Sequence, residues 1–225
     1  MKTNTIITFI LLIGITVLSS CDSEDNLGAT SEEYNVAVLA QISETILAFP
    51  LDSLDAEEIS GLELMREEEK LARDVYLHLY ETWGIRIFLN ISNSESTHMH
   101  TIKVLLDRYE LEDPISEDVE GEFENSELAA LFTSLTSFGD SSLVNAFRVG
   151  STIEDLDIKD LMDLTEETDN EDILFAYDNL TRGSRNHIRS FVSKLNTSGE
   201  SYDAQFISET LLDSILNTPK EAGNW

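Results

Sequence analysis

The sequence predicts an all-α protein built on a four-helix bundle, with a long crossover and flanking helices. Three observations predict it. Four stretches carry apolar residues at alternating spacings of three and four, which places each set on one helix face. Helix start and stop signals bracket those stretches. The 225 residues contain only three prolines, and helical periodicity runs throughout, which argues against a sheet protein. The four stripes also contain acids and imidazoles. Leu62, Met65, Glu69, Ala72, Tyr76, Leu79 and Trp83 form the first, and Phe88, Ile91, Glu95, His98, Ile102, Leu105 and Tyr109 the second. Phe147, Gly150, Glu154, Asp157, Leu161 and Leu164 form the third. Ile173, Tyr177, Leu180, Ser184, His187, Phe191 and Leu195 form the fourth.

Residues 1–20 read as a lipoprotein signal peptide. Lys2 precedes an apolar run, Ile6 to Leu18, of about 13 residues. A spanning helix needs roughly 20. Leu18-Ser19-Ser20-Cys21 resembles the lipobox of bacterial lipoproteins, which implies cleavage before Cys21 and acylation of its thiol. Cys21 is the single cysteine, so no intrachain disulfide can form. The expected location is the cell envelope, lipid-anchored outside the cytoplasm. Residues 21–31 read as a polar tether.

Residues 32–54 are expected to form a flanking amphipathic helix, with Tyr34, Val38, Leu39, Ile42 and Ile46 on its apolar side. It ends before Pro50, because proline disfavours helix at the residue before it. Residues 55–197 are the predicted bundle. Asp55 and Glu58 resemble a capping box that opens a helix running to Trp83 and stopping at Gly84. The next helix runs from Arg86 to Tyr109, and the short link makes the two an antiparallel hairpin. An acidic, irregular stretch, Ile115 to Ser126, reads as the crossover. A short helix, Ser126 to Phe138, follows. Two long helices, Ser141 to Thr165 and Asn170 to Leu195, complete the bundle. Residues 198–225 form an extension with an apolar segment, Ile207 to Leu216, expected to pack outside.

Forty-four acidic residues against 14 basic ones give a formal net charge of -30. Such a surface repels nucleic acid and anionic headgroups and attracts cations. The partners left are metal ions, a membrane met through the lipid anchor, and a second copy of the chain as a homodimer.

An unpaired charge inside a bundle costs several kcal/mol or more, so the inward acids require partners. Glu95 and His98 lie one turn apart and can reach one cation. Carboxylate with neutral imidazole suits iron, manganese or zinc. Di-iron bundles take one Glu-x-x-His pair from each of two helices and one Glu from each of the others. Glu69 and Glu154 then stand as the single acids and His187 as the second imidazole. Ser184 occupies the position where the second pair needs a glutamate, and Asp157 is the candidate for the missing oxygen. The rival reading is a buried polar network in which Arg66, Arg73, Arg182, Arg185 and Arg189 pair the acids without metal. His78 and His100 lie off the stripes and read as surface residues.

The segment Glu69-Lys-Leu-Ala72-Arg73-Asp-Val-Tyr76 followed by Glu95 and His98 resembles the first hairpin of rubrerythrin-type ferritin-like proteins. More closely, the chain resembles a ferritin-like family catalogued as domain of unknown function 2202. MREEEKLARDVYLHLYETWG (65–84), NISNSESTHMHTIKVLLDRYELEDP (90–114), VGSTIEDLDIKDL (149–161) and YDNLTRGSRNHIRSFV (177–192) carry that resemblance. The motif RGSRNH (182–187), serine included, is specific to it. The resemblance implies a ferritin-like bundle and no established activity. The resulting expectation is a membrane-anchored lipoprotein. Glu69, Glu95, His98, Glu154, Asp157 and His187 hold a di-iron or di-manganese centre in it, for redox, peroxide or dioxygen chemistry or for metal handling. The alternative is a metal-free structural or partner-binding lipoprotein that keeps only the bundle.

Overall fold

The computed structural model describes residues 31–223, with side chains from Val36 onward. Cys21, the signal segment and the tether up to residue 30 lie outside the described residues, and Ser31, expected as the end of the tether, already begins the first helix. Within them, seven helices and no strands occur: α1 (Ser31–Ala48), α2 (Ala56–Trp83), α3 (Arg86–Arg108), α4 (Ser126–Gly139), α5 (Leu143–Glu166), α6 (Glu171–Thr197) and α7 (Glu209–Leu216). None of these helices is long and apolar enough to cross a membrane.

Local chemistry sets the boundaries. Asp55 accepts from Glu58 N–H while the Glu58 carboxylate accepts from Asp55 N–H, both at 2.9 Å, which satisfies two orphan donors at the start of α2. Gly84 ends that helix in the left-handed region, at φ 66°, a conformation that strains any residue with a Cβ. The turn holds only Gly84 and Ile85, so α3 folds back along α2. The expected boundaries shift by a residue or two at several ends. α5 begins at Leu143 because Ser142 caps it, its Oγ accepting from Asn145 N–H. α7 begins at Glu209 because Ser208 is its cap and Ile207 is held outside the helix by Asp155.

α2 packs on α3 and α5, and α6 packs on α5 and α3, so the four long helices surround one interior. α4, inside the crossover, covers α2 and α5; α1 lies over α3 and α6, and α7 rests on α6. The interior is divided. One apolar cluster gathers Leu71, Val75, Leu79, Phe88, Phe147, Ile153 and Phe191. The other gathers Leu62, Met65, Ile102, Leu105, Leu161, Tyr177 and Leu180. Between them, on each helix, fall the polar members of the four stripes.

The crossover is fastened by charge. Lys70 is fully buried and donates to Asp74 (2.5 Å) and to the Val119 carbonyl (2.7 Å), with its ammonium 4.6 Å from the centre of the Phe123 ring. Asp74 also accepts from Arg73 and from Gly121 N–H. Residues 118–123 thereby cover a face of α2 that helical periodicity alone leaves to solvent.

Candidate metal centre

Glu69 on α2, Glu95 on α3 and Glu154 on α5 are fully buried, and Asp157, His98 and His187 are 2%, 3% and 8% exposed. The structure gathers five of them into two groups whose donor atoms lie within 4.8 Å of one another: Glu69, Glu95 and His98, and Glu95, Glu154 and His187. Glu95 is common to both. The two groups therefore have the same composition, two carboxylates and one imidazole, although Ser184 stands where a second inward glutamate was expected. Ser184 is buried, and its hydroxyl donates to the Leu180 carbonyl at 3.1 Å, so it faces its own helix.

The geometry around each imidazole is more than hydrogen bonding can satisfy. His98 Nδ1 lies 3.0 Å from Glu69 Oε2 and 2.7 Å from Glu95 Oε2. His187 Nδ1 lies 2.9 Å from Glu95 Oε1 and 3.3 Å from Glu154 Oε2. A protonated Nδ1 carries one hydrogen, directed to one acceptor. That hydrogen goes to Glu69 in one group and Glu154 in the other, and both Glu95 oxygens are left without a hydrogen bond. Glu69 Oε1 and Asp157 Oδ2 are likewise buried without a hydrogen-bond partner. Ligand atoms held about 2.0–2.2 Å from one cation stand roughly 3.0–3.5 Å apart, and the four nitrogen–oxygen contacts here, 2.7 to 3.3 Å, lie at or just inside that separation. A divalent cation in each group would satisfy every one of these contacts at once.

Second contacts orient the ligands. His187 Nε2 lies 3.1 Å from Ser94 Oγ, so an imidazole that ligates through Nδ1 can donate from Nε2 to that hydroxyl. Tyr76 donates to Glu154 Oε1 at 2.6 Å and packs against Phe191. It is thus both the core aromatic expected from its stripe and a tether for a candidate ligand. The two imidazoles stack with centroids 5.7 Å apart.

Burial and the facing charges together set the electrostatics of the cluster. Burial raises the Glu69 and Glu154 carboxyls to about 7, even with His98 and His187 opposing it. Burial also pushes Asp157 well up, reinforced by Glu69 and Glu154. Burial raises Glu95 too, but His187 and His98 outweigh it and hold the carboxyl below the usual range. Burial opposes the charged form of His98, yet Glu69 and Glu95 lift its pKa to about 10; Glu95 and Glu154 raise His187 in the same way. A raised folded-state pKa means that the folded protein binds more protons than the unfolded chain. Stability carried by His98 is complete below its ordinary 6.5 and disappears as pH passes 10. The cost of ionising buried Glu69 and Glu154 appears as pH climbs from 4.5 through 7. Glu95, with its lowered pKa, acts in the opposite direction only at pH below its ordinary 4.5. Metal-free protein is therefore expected to lose melting temperature steadily from pH 5 to 9, and added Mn2+ to reverse the loss. A flat or rising metal-free profile would contradict this electrostatic picture.

The arginine alternative finds four of its five residues engaged elsewhere. Arg66 forms a two-bond pair with Asp113 and donates to the Met99 carbonyl. Arg73 binds Asp74 and Asp118, and Arg185 and Arg189 both bind Glu221. Lys159, on the same helix as Asp157, pairs with Asp163. His78 contacts Asp140 and His100 contacts Ser43. Both lie outside the site as expected, but each is half-buried rather than open to solvent.

A groove of about 360 Å³ between α3 and α6, lined by Asn93, Ser94, Thr97, Gly183 and Asn186, reaches both His98 and His187. Gly183 is the residue that sequence reasoning passed over. A Cβ there would stand 2.6 Å from Nε2 and Cε1 of His98. Gly183→Ala is expected to displace the ring and weaken metal binding by about 10–100-fold, with helical content preserved. Titration with Mn2+ beside a circular dichroism spectrum checks it.

Comparison with known proteins follows the same stretch of chain. A family model described as an uncharacterized protein domain, DUF2202, matches residues 58–219. The uncharacterized protein MJ0754 of Methanocaldococcus jannaschii is 49% identical over 180 residues, which is 80% of this chain and 97% of that protein. The crystal structure of the hypothetical protein MJ0754 from Methanococcus jannaschii aligns with a TM-score of 0.76 at 49% identity. That alignment covers 77% of this chain and 99% of that one.

Proposed function

The chain belongs to the DUF2202 family, and we propose that it is a ferritin-like four-helix bundle holding a dinuclear iron or manganese centre. The observation that carries this reading is the pair of three-ligand groups sharing Glu95, in which buried carboxylate oxygens lack any hydrogen-bond donor. Glu69, Glu95 and His98 would hold one ion, and Glu95, Glu154 and His187 the other. Asp157 stands beside both. A buried centre of this kind supplies electron exchange with dioxygen or peroxide, or holds metal in reserve. The chain's own residues shield it: the apolar clusters close the interior on either side, and the groove beside His98 and His187 offers small molecules a polar approach. Tyr76 and Ser94 fix the orientation of Glu154 and His187. We further propose that the protein works outside the cytoplasm, anchored through lipid on Cys21.

Metal analysis tests the centre. Protein purified under reducing conditions with iron or manganese supplied is expected to carry two ions per chain. Equal metal content in wild type, Glu69→Ala and the surface control Glu124→Ala would show nonspecific binding by an acidic surface. Absence of metal from the wild type would favour the structural alternative. For the anchor, mass spectrometry should find acylated Cys21 at the mature amino terminus, and Cys21→Ala should release the protein from membranes.

A further inference from the structure

Four acids on α5 stand three residues apart: Glu154, Asp157, Asp160 and Asp163. A step of three residues falls about 60° short of a full turn, so such a row winds around the helix instead of staying on one face. The structure shows the outcome as a burial gradient. Asp163 is exposed, Asp160 is half-buried, Asp157 is 2% exposed and Glu154 is fully buried. Opposite this row stands Glu68 on α2, 4% exposed and off the stripe that carries Glu69. The Glu68 carboxyl meets that of Asp160, and its next charged neighbour is Glu69. Asp157 in turn faces Glu69, Glu154, Glu68 and Glu95.

Two of these buried groups point into the row with an oxygen that no donor satisfies, Glu68 Oε2 and Asp157 Oδ2. Lys159, beside the row, pairs with Asp163 at the surface. Glu68 shares a carboxyl–carboxylate hydrogen bond with Asp160, and among the described residues no cationic side chain pairs with it. Facing carboxylates of this kind recognise a cation. The row lies between α2 and α5, while the polar groove that reaches the imidazoles lies between α3 and α6.

We propose that Asp163, Asp160, Glu68 and Asp157 form a transit route by which a divalent cation moves from solvent to the buried centre. The route rests on the dinuclear reading above. Asp160 and Asp163 collect the hydrated ion from the acidic surface. Glu68 and Asp157 replace its water in stages and pass it to Glu69 and Glu154. The groove between α3 and α6 is then left to neutral or anionic small molecules, and the two traffics do not compete.

Loading of metal-free protein with Co2+ under anaerobic conditions tests this, followed by stopped-flow absorbance of the bound ion. Wild type is expected to take up two ions per chain. Glu68→Gln and Asp160→Asn should each slow uptake by about tenfold or more, the range of electrostatic steering. Both variants should reach the wild-type stoichiometry and final spectrum. Glu124→Ala, which removes an exposed charge outside the row, should load at the wild-type rate. Asp160 is only half-buried, so its variant keeps the test informative should Glu68→Gln fold poorly. Variants that load as fast as wild type overturn the route while leaving the centre intact. Loss of one ion from Glu68→Gln also overturns it, making Glu68 a ligand. A wild type that takes up no Co2+ removes the centre itself, and the route with it.

Discussion

Glu95→Ala is expected to abolish binding at both proposed metal positions together, with affinity at each falling by more than about 100-fold, beyond the effect of losing an outer contact. The expectation follows from the sharing of this one carboxylate between two groups. Glu69→Ala and Glu154→Ala each strip a single group and should leave one ion per chain. Glu95 is also the anion between two imidazoles, with Oε2 2.7 Å from His98 and Oε1 2.9 Å from His187. Its loss leaves those rings without the partner that favours their charge, so the metal-free variant should have a lower His98 pKa by NMR titration. Metal counts of one in Glu95→Ala would show that the groups are independent and that Glu95 serves only one.

Asp155→Ala is expected to destabilise the protein by about 3–5 kcal/mol, although Asp155 touches no candidate ligand. Its buried carboxylate accepts from the Tyr202 hydroxyl at 2.8 Å and from the backbone N–H groups of Gln205, Phe206 and Ile207 at 2.6, 3.3 and 2.9 Å. Removing it strands those donors against α5, each at a cost of about 1–3 kcal/mol that water only partly offsets. The melting temperature should drop by about 10 °C for a chain of this size. Limited proteolysis should then cut first between residues 200 and 208. An unchanged melting temperature would show that the extension is held by its other contacts, Leu212 and Ile215 in the core and Glu221 on Arg185 and Arg189.

The helices and the inward direction of the ligands were legible in the sequence because both follow from a single period. Glu69, Glu95, His98, Glu154 and His187 sit on apolar stripes, and a stripe faces the interior wherever the neighbouring helices lie. Spacing along one helix does not tell which carboxylate stands midway between two others, so the sharing of Glu95 appears only in three dimensions. Glu68, Lys70 and Asp155 were missed for a different reason. Each lies off its stripe, on a side that a two-faced helix turns to water. Asp160 of α5 closes over Glu68, the crossover covers Lys70, and residues 202–207 cover Asp155, converting an apparent surface into a second interior. Gly183 left a signal in the RGSRNH motif, but the reason for a glycine there is the ring of His98, which comes from another helix.

The two apolar clusters on either side of the acid layer give the molecule two centres of cohesion. Each end can hold itself together by packing, whereas the layer joining them sets the carboxyl groups of Glu69, Glu95, Glu154 and Asp157 against only two imidazoles and leaves carboxylate oxygens unpaired. In the metal-free protein the ends should exchange amide hydrogens on separate clocks, with the slowest amides in the better packed half. Two ions clasped by all four helices would make opening of either end break the same bonds. The clocks would then merge, and the bundle would respond to heat and denaturant as one unit.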